Sequence, residues 1–201
     1  MFEFLSRGGF LVYPILACLV LVAAIFTERM IRFALLRSRG SGLAHMVAGL
    51  LRKGSVEEAR KSAASSRSPM GNVLSQAIDA RDLDREMLES VLVSATDEEV
   101  RRLSAYSQLM ATIGNIAPLL GLLGTVIGMI KAFMVIQEMG GKVNAAVLAG
   151  GIWEAMLTTA LGLSVAVPTM LAHSYLLARI DKYEVRLKKG AVTFLKSLST
   201  E

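Results

Sequence analysis

The chain has 201 residues, 53% of them hydrophobic, with a mean hydropathy of +0.51 and a formal net charge of +5. This is more apolar than an ordinary soluble domain and reads as a membrane protein. Its one cysteine, Cys18, excludes a disulfide framework or a cysteine metal site within one chain.

A bilayer core of roughly 30 Å takes about 20 helical residues to cross. Three uncharged runs are long enough: residues 8–27, 103–130 and 155–178. The first, GGFLVYPILACLVLVAAIFT, is longer than the apolar region of a signal peptide and is followed by Arg29, Arg32, Arg37 and Arg39 as a stop-transfer pattern. It reads as a retained span.

Between the first and second spans, the breakers SRGSG and SSRSPMGN flank the helical pattern LAHMVAGLLRKGSVEEARKSAA. Ser55 with Glu58 three residues later reads as a capping box, and Gly54 as the stop of the helix before it. No strand alternation appears, so the expectation is all-α, with a helical hairpin here. From Asp84 no Gly or Pro interrupts the chain until Gly114. Leu88, Val91, Leu92, Ala95 and Leu103 recur at helical spacing. The simplest expectation is one helix from about Asp84 to about Ile136, some 75–80 Å long at 1.5 Å per residue. The third span continues into RIDKYEVRLKKGAVTFLKSL, where Gly190 is a candidate break.

Lys and Arg number one before the first span, thirteen in residues 28–102, two in residues 131–154 and six after residue 178. The positive-inside rule therefore places the long loop and the C-terminus in the cytoplasm and the N-terminus outside. The loop also carries eleven Asp and Glu, so the net charge reports topology and requires no nucleic acid. The expected organisation is a periplasmic N-terminus and first span in residues 1–27 and a cytoplasmic helical loop in residues 28–104. The second and third spans, with a short periplasmic connection, occupy residues 105–178, and a cytoplasmic helix occupies residues 179–201. The second and third helices would extend into a cytoplasmic bundle.

Within the second span, Gly114, Pro118, Gly121, Thr125, Gly128 and Ala132 step by four, three, four, three and four, which puts them on one helix face. Gly124 and Gly128 add a GxxxG pair. The third span repeats the device with Ala155, Thr159, Gly162, Ala166, Thr169 and His173. In lipid, small residues mark faces where another helix backbone comes close. The first span carries no such stripe and is expected to face lipid.

Two readings of the hydroxyls stand. Thr125, Thr158 and Thr159 either satisfy themselves on carbonyls one turn back, the glycines serving packing alone, or they line a polar path. Asn115 and Glu154, at the ends of the stripes, favour a path, because polar groups at membrane depth mark ion pathways. Glu154 also follows Trp153, an interface residue, and so can sit at the water boundary. The membrane core holds hydroxyls and no carboxylate, so a titrating group would have to come from another chain. The glycines of GLLGTVIG are no phosphate loop, lacking both the lysine and the preceding strand. Neither an enzyme nor a cofactor is expected.

The segments IGNIAPLLGLLGTVIGMIKAF and LAGGIWEAMLTTALGLSVAVPTMLAHSYL resemble the signature of the MotA/TolQ/ExbB proton channel family, on the TolQ/ExbB side. The GLLGTV, IxEAxxTTAxGL and VAxP elements stand in the family's order and spacing. The resemblance implies an inner-membrane homopentamer around the membrane helices of an ExbD- or TolR-like one-span partner, whose aspartate takes the proton. It implies that Thr125 and Thr159 line the pore, with Glu154 near the outer mouth. Work would be done on a TonB- or TolA-like periplasm-spanning protein, for outer-membrane transport or envelope maintenance. Thr158 and Asn115 join the candidate pathway; Gly121, Gly124, Gly128, Gly162, Pro118 and Pro168 form the candidate packing set. Ile127, where the family often has an aromatic residue, and His173 with Ser174 after the VAxP element leave the branch open among TonB, Tol and related gliding or secretion motors. A non-conducting oligomeric scaffold is the competing class.

Overall fold

The computed structural model describes residues 9–39, 42–139 and 145–198. Part of the expected periplasmic N-terminus, part of the SRGSG breaker, the middle of the connection between the second and third spans, and the last three residues lie outside the described residues. Among the described residues there are seven helices and no strand. They are α1 (Val12–Arg39), α2 (Leu43–Arg52), α3 (Val56–Ser65), α4 (Pro69–Asp79), α5 (Arg85–Leu103), α6 (Ser107–Glu138) and α7 (Ala145–Leu198). Three of them, α1, α6 and α7, are long and apolar enough to cross a membrane.

Contacts divide the chain into two units. The apolar unit contains the chain through Thr27 together with residues 106–175. Here α1 buries Val12, Ile15 and Val22 at helical spacing, and Ile15, fully buried, packs against Ala117, Val165 and Ala166. The first span, expected to face lipid, leaves Leu19, Val20 and Leu21 exposed but also has a protein-facing stripe. The physical reason is complementary size: the small side chains of Ala117 and Ala166 leave a hollow that a branched side chain fills.

The charged unit contains residues 28–105 and the chain from Leu176 onward. Its core sets large side chains, with Leu74, Leu92, Leu187 and Phe194 fully buried, among alanines such as Ala59, Ala77 and Ala95. Turn chemistry separates its short helices. Gly54, at φ +74, ends α2 with its N–H on the carbonyl of Leu51 at 2.9 Å, a conformation glycine adopts without a Cβ clash. Ser55 caps α3, but its side chain makes no capping bond. Residues read as a breaker instead open α4: the Ser68 hydroxyl accepts from the Gly71 N–H at 3.1 Å, and Pro69 takes the first helical position, where its missing N–H costs nothing. Asp84 caps α5 by accepting from the Met87 N–H at 3.0 Å.

Two expectations about helix continuity are corrected. α7 continues through Gly190, which is buried so close to Met70 that a Cβ there would strike its side chain; the glycine makes room for packing and does not break the helix. The helix expected from Asp84 to Ile136 is interrupted between Leu103 and Ser107, where Tyr106 adopts φ +66. The cause is non-local. Arg29, almost fully buried, donates to the carbonyl of Arg102 at 3.4 Å, the carbonyl that residue 106 would serve in an uninterrupted helix. Nearby, Glu99 is buried, its Oε1 accepting from Asn72 Nδ2 and from Arg102 Nη1, each at 3.0 Å.

Candidate functional site

The small-residue stripes meet each other inside one chain. On α6, after Ser107, Met110 and Ile113, the buried positions are all small: Gly114, Ala117, Gly121, Gly124, Gly128 and Ala132; on α7 Ala155, Thr158, Val165, Ala166 and Thr169 are buried and Gly162 lies among them. A Cβ added at Gly121 would stand 2.9 Å from Thr159 Cα and 3.0 Å from the Thr158 carbonyl oxygen. One added at Gly162 would stand 2.6 Å from the Ala117 carbonyl oxygen, and one at Gly124 would collide with the Thr158 side chain. These helices touch backbone to backbone, which only residues without large side chains permit.

The threonines on this seam are used differently. Thr158 is buried and donates to the Ala155 carbonyl of its own helix at 2.7 Å. Thr159 reaches across the seam and donates to the Gly121 carbonyl at 2.9 Å. Thr125 donates to Leu122 in its own helix at 2.6 Å and remains partly exposed. A hydroxyl whose proton is committed still has lone pairs to offer. Thr125, whose hydroxyl bonds within its own helix on the partly exposed flank, therefore keeps its oxygen open to an incoming donor.

Glu154 closes one end of the seam. Its Oε1 lies 3.3 Å from the Lys131 ammonium of α6, and its neighbour Ala155 packs against Gly128. Lys131 was not among the residues singled out from the sequence. The available signal was its position as the first charge after residues 103–130, matching Glu154, the last charge before residues 155–178. Asn115 is exposed on α6, away from the buried face; Pro118 is partly buried and Pro168 exposed. Thus Gly121, Gly124, Gly128, Gly162, Thr158 and Thr159 come together, with Thr125 at the flank and Glu154 at the end. Among the described residues no group of His, Cys, Asp and Glu is arranged to hold a metal ion.

This pairing of two apolar helices by small and hydroxyl residues lies within a stretch of known type. A sequence model described as the MotA/TolQ/ExbB proton channel family matches residues 65–189. A putative biopolymer transport protein, ExbB-like 3, of Synechocystis sp. is 31% identical over 166 residues, covering 82% of this chain and 79% of that protein. The biopolymer transport protein exbB1 of Vibrio cholerae is 28% identical over 183 residues, covering 90% of this chain and 80% of its own. The Tol-Pal system protein TolQ of Haemophilus influenzae is 35% identical over 91 residues, 45% of this chain and 39% of that one. With the seam, the three apolar helices and a match over most of its length, the chain belongs to the MotA/TolQ/ExbB proton channel family.

Proposed function

We propose that this chain is the proton-channel subunit of an inner-membrane energy-transducing motor of the ExbB/TolQ kind. It couples the proton motive force to a TonB- or TolA-like periplasm-spanning protein that serves outer-membrane transport or envelope maintenance. Five copies surround the membrane helices of an ExbD- or TolR-like partner, whose aspartate carries the proton. The N-terminus is periplasmic, the long loop and the C-terminus are cytoplasmic, and the chain performs no enzymatic conversion.

The observation that carries this reading is the state of Thr125. Residues 107–130 and 155–178 contain no Asp, Glu, Lys or Arg, so a proton crossing at that depth needs an acid from another chain. Thr125 presents a hydroxyl oxygen at the flank of the seam with its own proton on Leu122. That oxygen accepts a hydrogen bond from a protonated acid; after release, the hydroxyl can turn from Leu122 and donate to the carboxylate. Both protonation states of the partner's acid are then tolerable in one place.

The test is a pair of substitutions at Thr125 in cells carrying the partner chains, read as proton-motive-force-dependent transport. Thr125→Ser keeps substantial activity and Thr125→Val loses most of it, with the assembled complex recovered from both. Wild-type transport with valine at both Thr125 and Thr159 would leave the residues as packing only. That outcome would favour the second reading, a non-conducting oligomeric scaffold, which draws its support from the Thr159 hydroxyl being spent on the Gly121 carbonyl.

A further inference from the structure

The charges at one end of the α6–α7 seam are few and matched. Lys131 is the first charged residue after a run that begins at Leu103, and Glu154 is the last before the run that begins at Ala155. They lie on different helices, carry opposite signs and meet at 3.3 Å. Backbone contacts hold the helices together at this level: a Cβ at Gly128 would stand 3.1 Å from Ala155 Cβ and 3.2 Å from the Gly151 carbonyl oxygen. A third wall comes from the turn before α1, where Gly9, at φ +69, lies so close that a Cβ would strike Glu154 Oε1. The carboxylate is consequently only 29% exposed, against 57% for the lysine side chain.

An exposed ion pair in water contributes little, because solvent screens it and two long side chains must be ordered. This pair stands at the end of two apolar helices, and where those helices lie in a membrane less water screens the attraction and an unpaired charge is costly. Among the described residues neither charge has a second partner of opposite sign, so removing either takes from the other its one described partner at the edge of an apolar surface.

We propose that Lys131 is the positioning residue of Glu154, holding its carboxylate in the corner formed by Gly9 and α6, and that this pair, not a free carboxylate, forms the polar mouth of the seam. The proposal rests on the channel reading for its functional consequence, but the pairing itself is testable without it. A proton entering beside Glu154 meets a neutral pair with a fixed geometry. The carboxylate is kept from swinging outward toward lipid or a neighbouring chain.

Proton entry into membrane vesicles, made from cells producing the full chain with its partner chains, is measured with an internal pH dye under an imposed gradient. Lys131→Met lowers the rate at least about fivefold, since it strands a carboxylate at the membrane edge, and Lys131→Arg restores at least about half of it, since the guanidinium also pairs with carboxylates. The exchanged pair Lys131→Glu with Glu154→Lys conducts better than either single change. A wild-type rate in Lys131→Met, an arginine variant as slow as the methionine one, or an exchange no better than the singles would each overturn the functional role. Thr125→Val is run alongside: if it loses conduction while Lys131→Met does not, the pair is wrong and the channel stands, and if neither loses conduction the channel reading itself fails. In that last case the thermal midpoints of the detergent-purified complex decide the pairing. Lys131→Met and Glu154→Gln together shift the midpoint less than the sum of their separate shifts, whereas additive shifts would mean the two side chains do not interact.

Discussion

The two units are assembled by opposite uses of side-chain size. In the apolar unit the contact between α6 and α7 is made by residues with almost nothing beyond the backbone, Gly121 against Thr159 and Gly128 against Ala155, with one hydroxyl, that of Thr159, bridging the helices. In the charged unit the contacts are made by Leu74, Leu92, Leu187 and Phe194, and the chain between helices is held by caps. The difference follows from the solvent each surface would otherwise meet. Leucine gains free energy by leaving water, about 25 cal/mol for each Å² buried. A leucine that leaves lipid for another apolar surface gains almost nothing of that kind, so helices in a membrane associate through close van der Waals contact and interhelical hydrogen bonds. Small residues are therefore the cohesive element along the α6–α7 seam, whereas in the charged unit they fit around the large side chains that supply the cohesion.

The largest expected effect comes from reversing this rule in the apolar unit. Gly121→Leu places a branched side chain where a single added Cβ already stands 2.9 Å from Thr159 Cα. Overpacking that neighbouring side chains can absorb costs about 1–3 kcal/mol; here the obstacles are backbone atoms of α7, so the helices must part and the whole seam is lost. The expected outcome is loss of the folded complex from detergent extracts, measured by size-exclusion chromatography. Leu119→Ala, on an exposed face of the same helix, is recovered at wild-type yield.

The reverse operation belongs to the charged unit. Phe194 is fully buried in the core made by α2 to α5 and the end of α7. Truncating it, Phe194→Ala, removes transfer free energy and opens a cavity, together about 3–5 kcal/mol. Thermal unfolding followed by circular dichroism is expected at a markedly lower midpoint. Gly190→Ala is damaging in the same unit through the opposite fault, because its Cβ meets the side chain of Met70. Met70 is flexible, so this substitution should cost less than the phenylalanine one.

The sequence was informative where one residue's chemistry decides a local matter, and less so where a distant partner does. Gly54 as a stop, Ser55 as the residue before α3, the three apolar runs and the two stripes can all be read locally, from spacing and residue type, whereas the capping box expected of Ser55 and Glu58 does not form. The break before Ser107 cannot, because it depends on Arg29 reaching a carbonyl 73 positions away. The stripe on α6 was legible to within one residue. Steps of three and four define a face yet cannot choose between neighbours such as Gly124 and Thr125. The bulk of Thr158 makes that choice, since it requires the glycine opposite and leaves Thr125 on the flank. Lys131 was missed for a related reason: its charge stood plainly in the sequence, but the partner that gives it a role lies on another helix.

The smallest effect sharpens the account of the caps within the charged unit, where two serines occupy the same formal position with different geometry. Ser68 has extended backbone angles, and its hydroxyl accepts from the Gly71 N–H, satisfying one of the four donors that the start of α4 leaves without an intrahelical partner. Ser55 precedes α3 with a backbone that does not bring its hydroxyl to any of those donors, and Glu58, three residues on, does not complete the box that its spacing suggested. Ser68→Ala should therefore cost about 1 kcal/mol, and Ser55→Ala no more than a few tenths, because an N-cap contributes through its hydrogen bond. Ser68 is also buried and its hydroxyl lies 3.0 Å from that of Ser66, which keeps its own bond to the Ala63 carbonyl at 2.9 Å, so the donor that alanine leaves without a partner is the Gly71 N–H. Paired denaturation curves of the two alanine variants make the comparison directly. Equal midpoints would show that capping contributes little in this unit and that its short helices are held by the buried leucines and Phe194 alone.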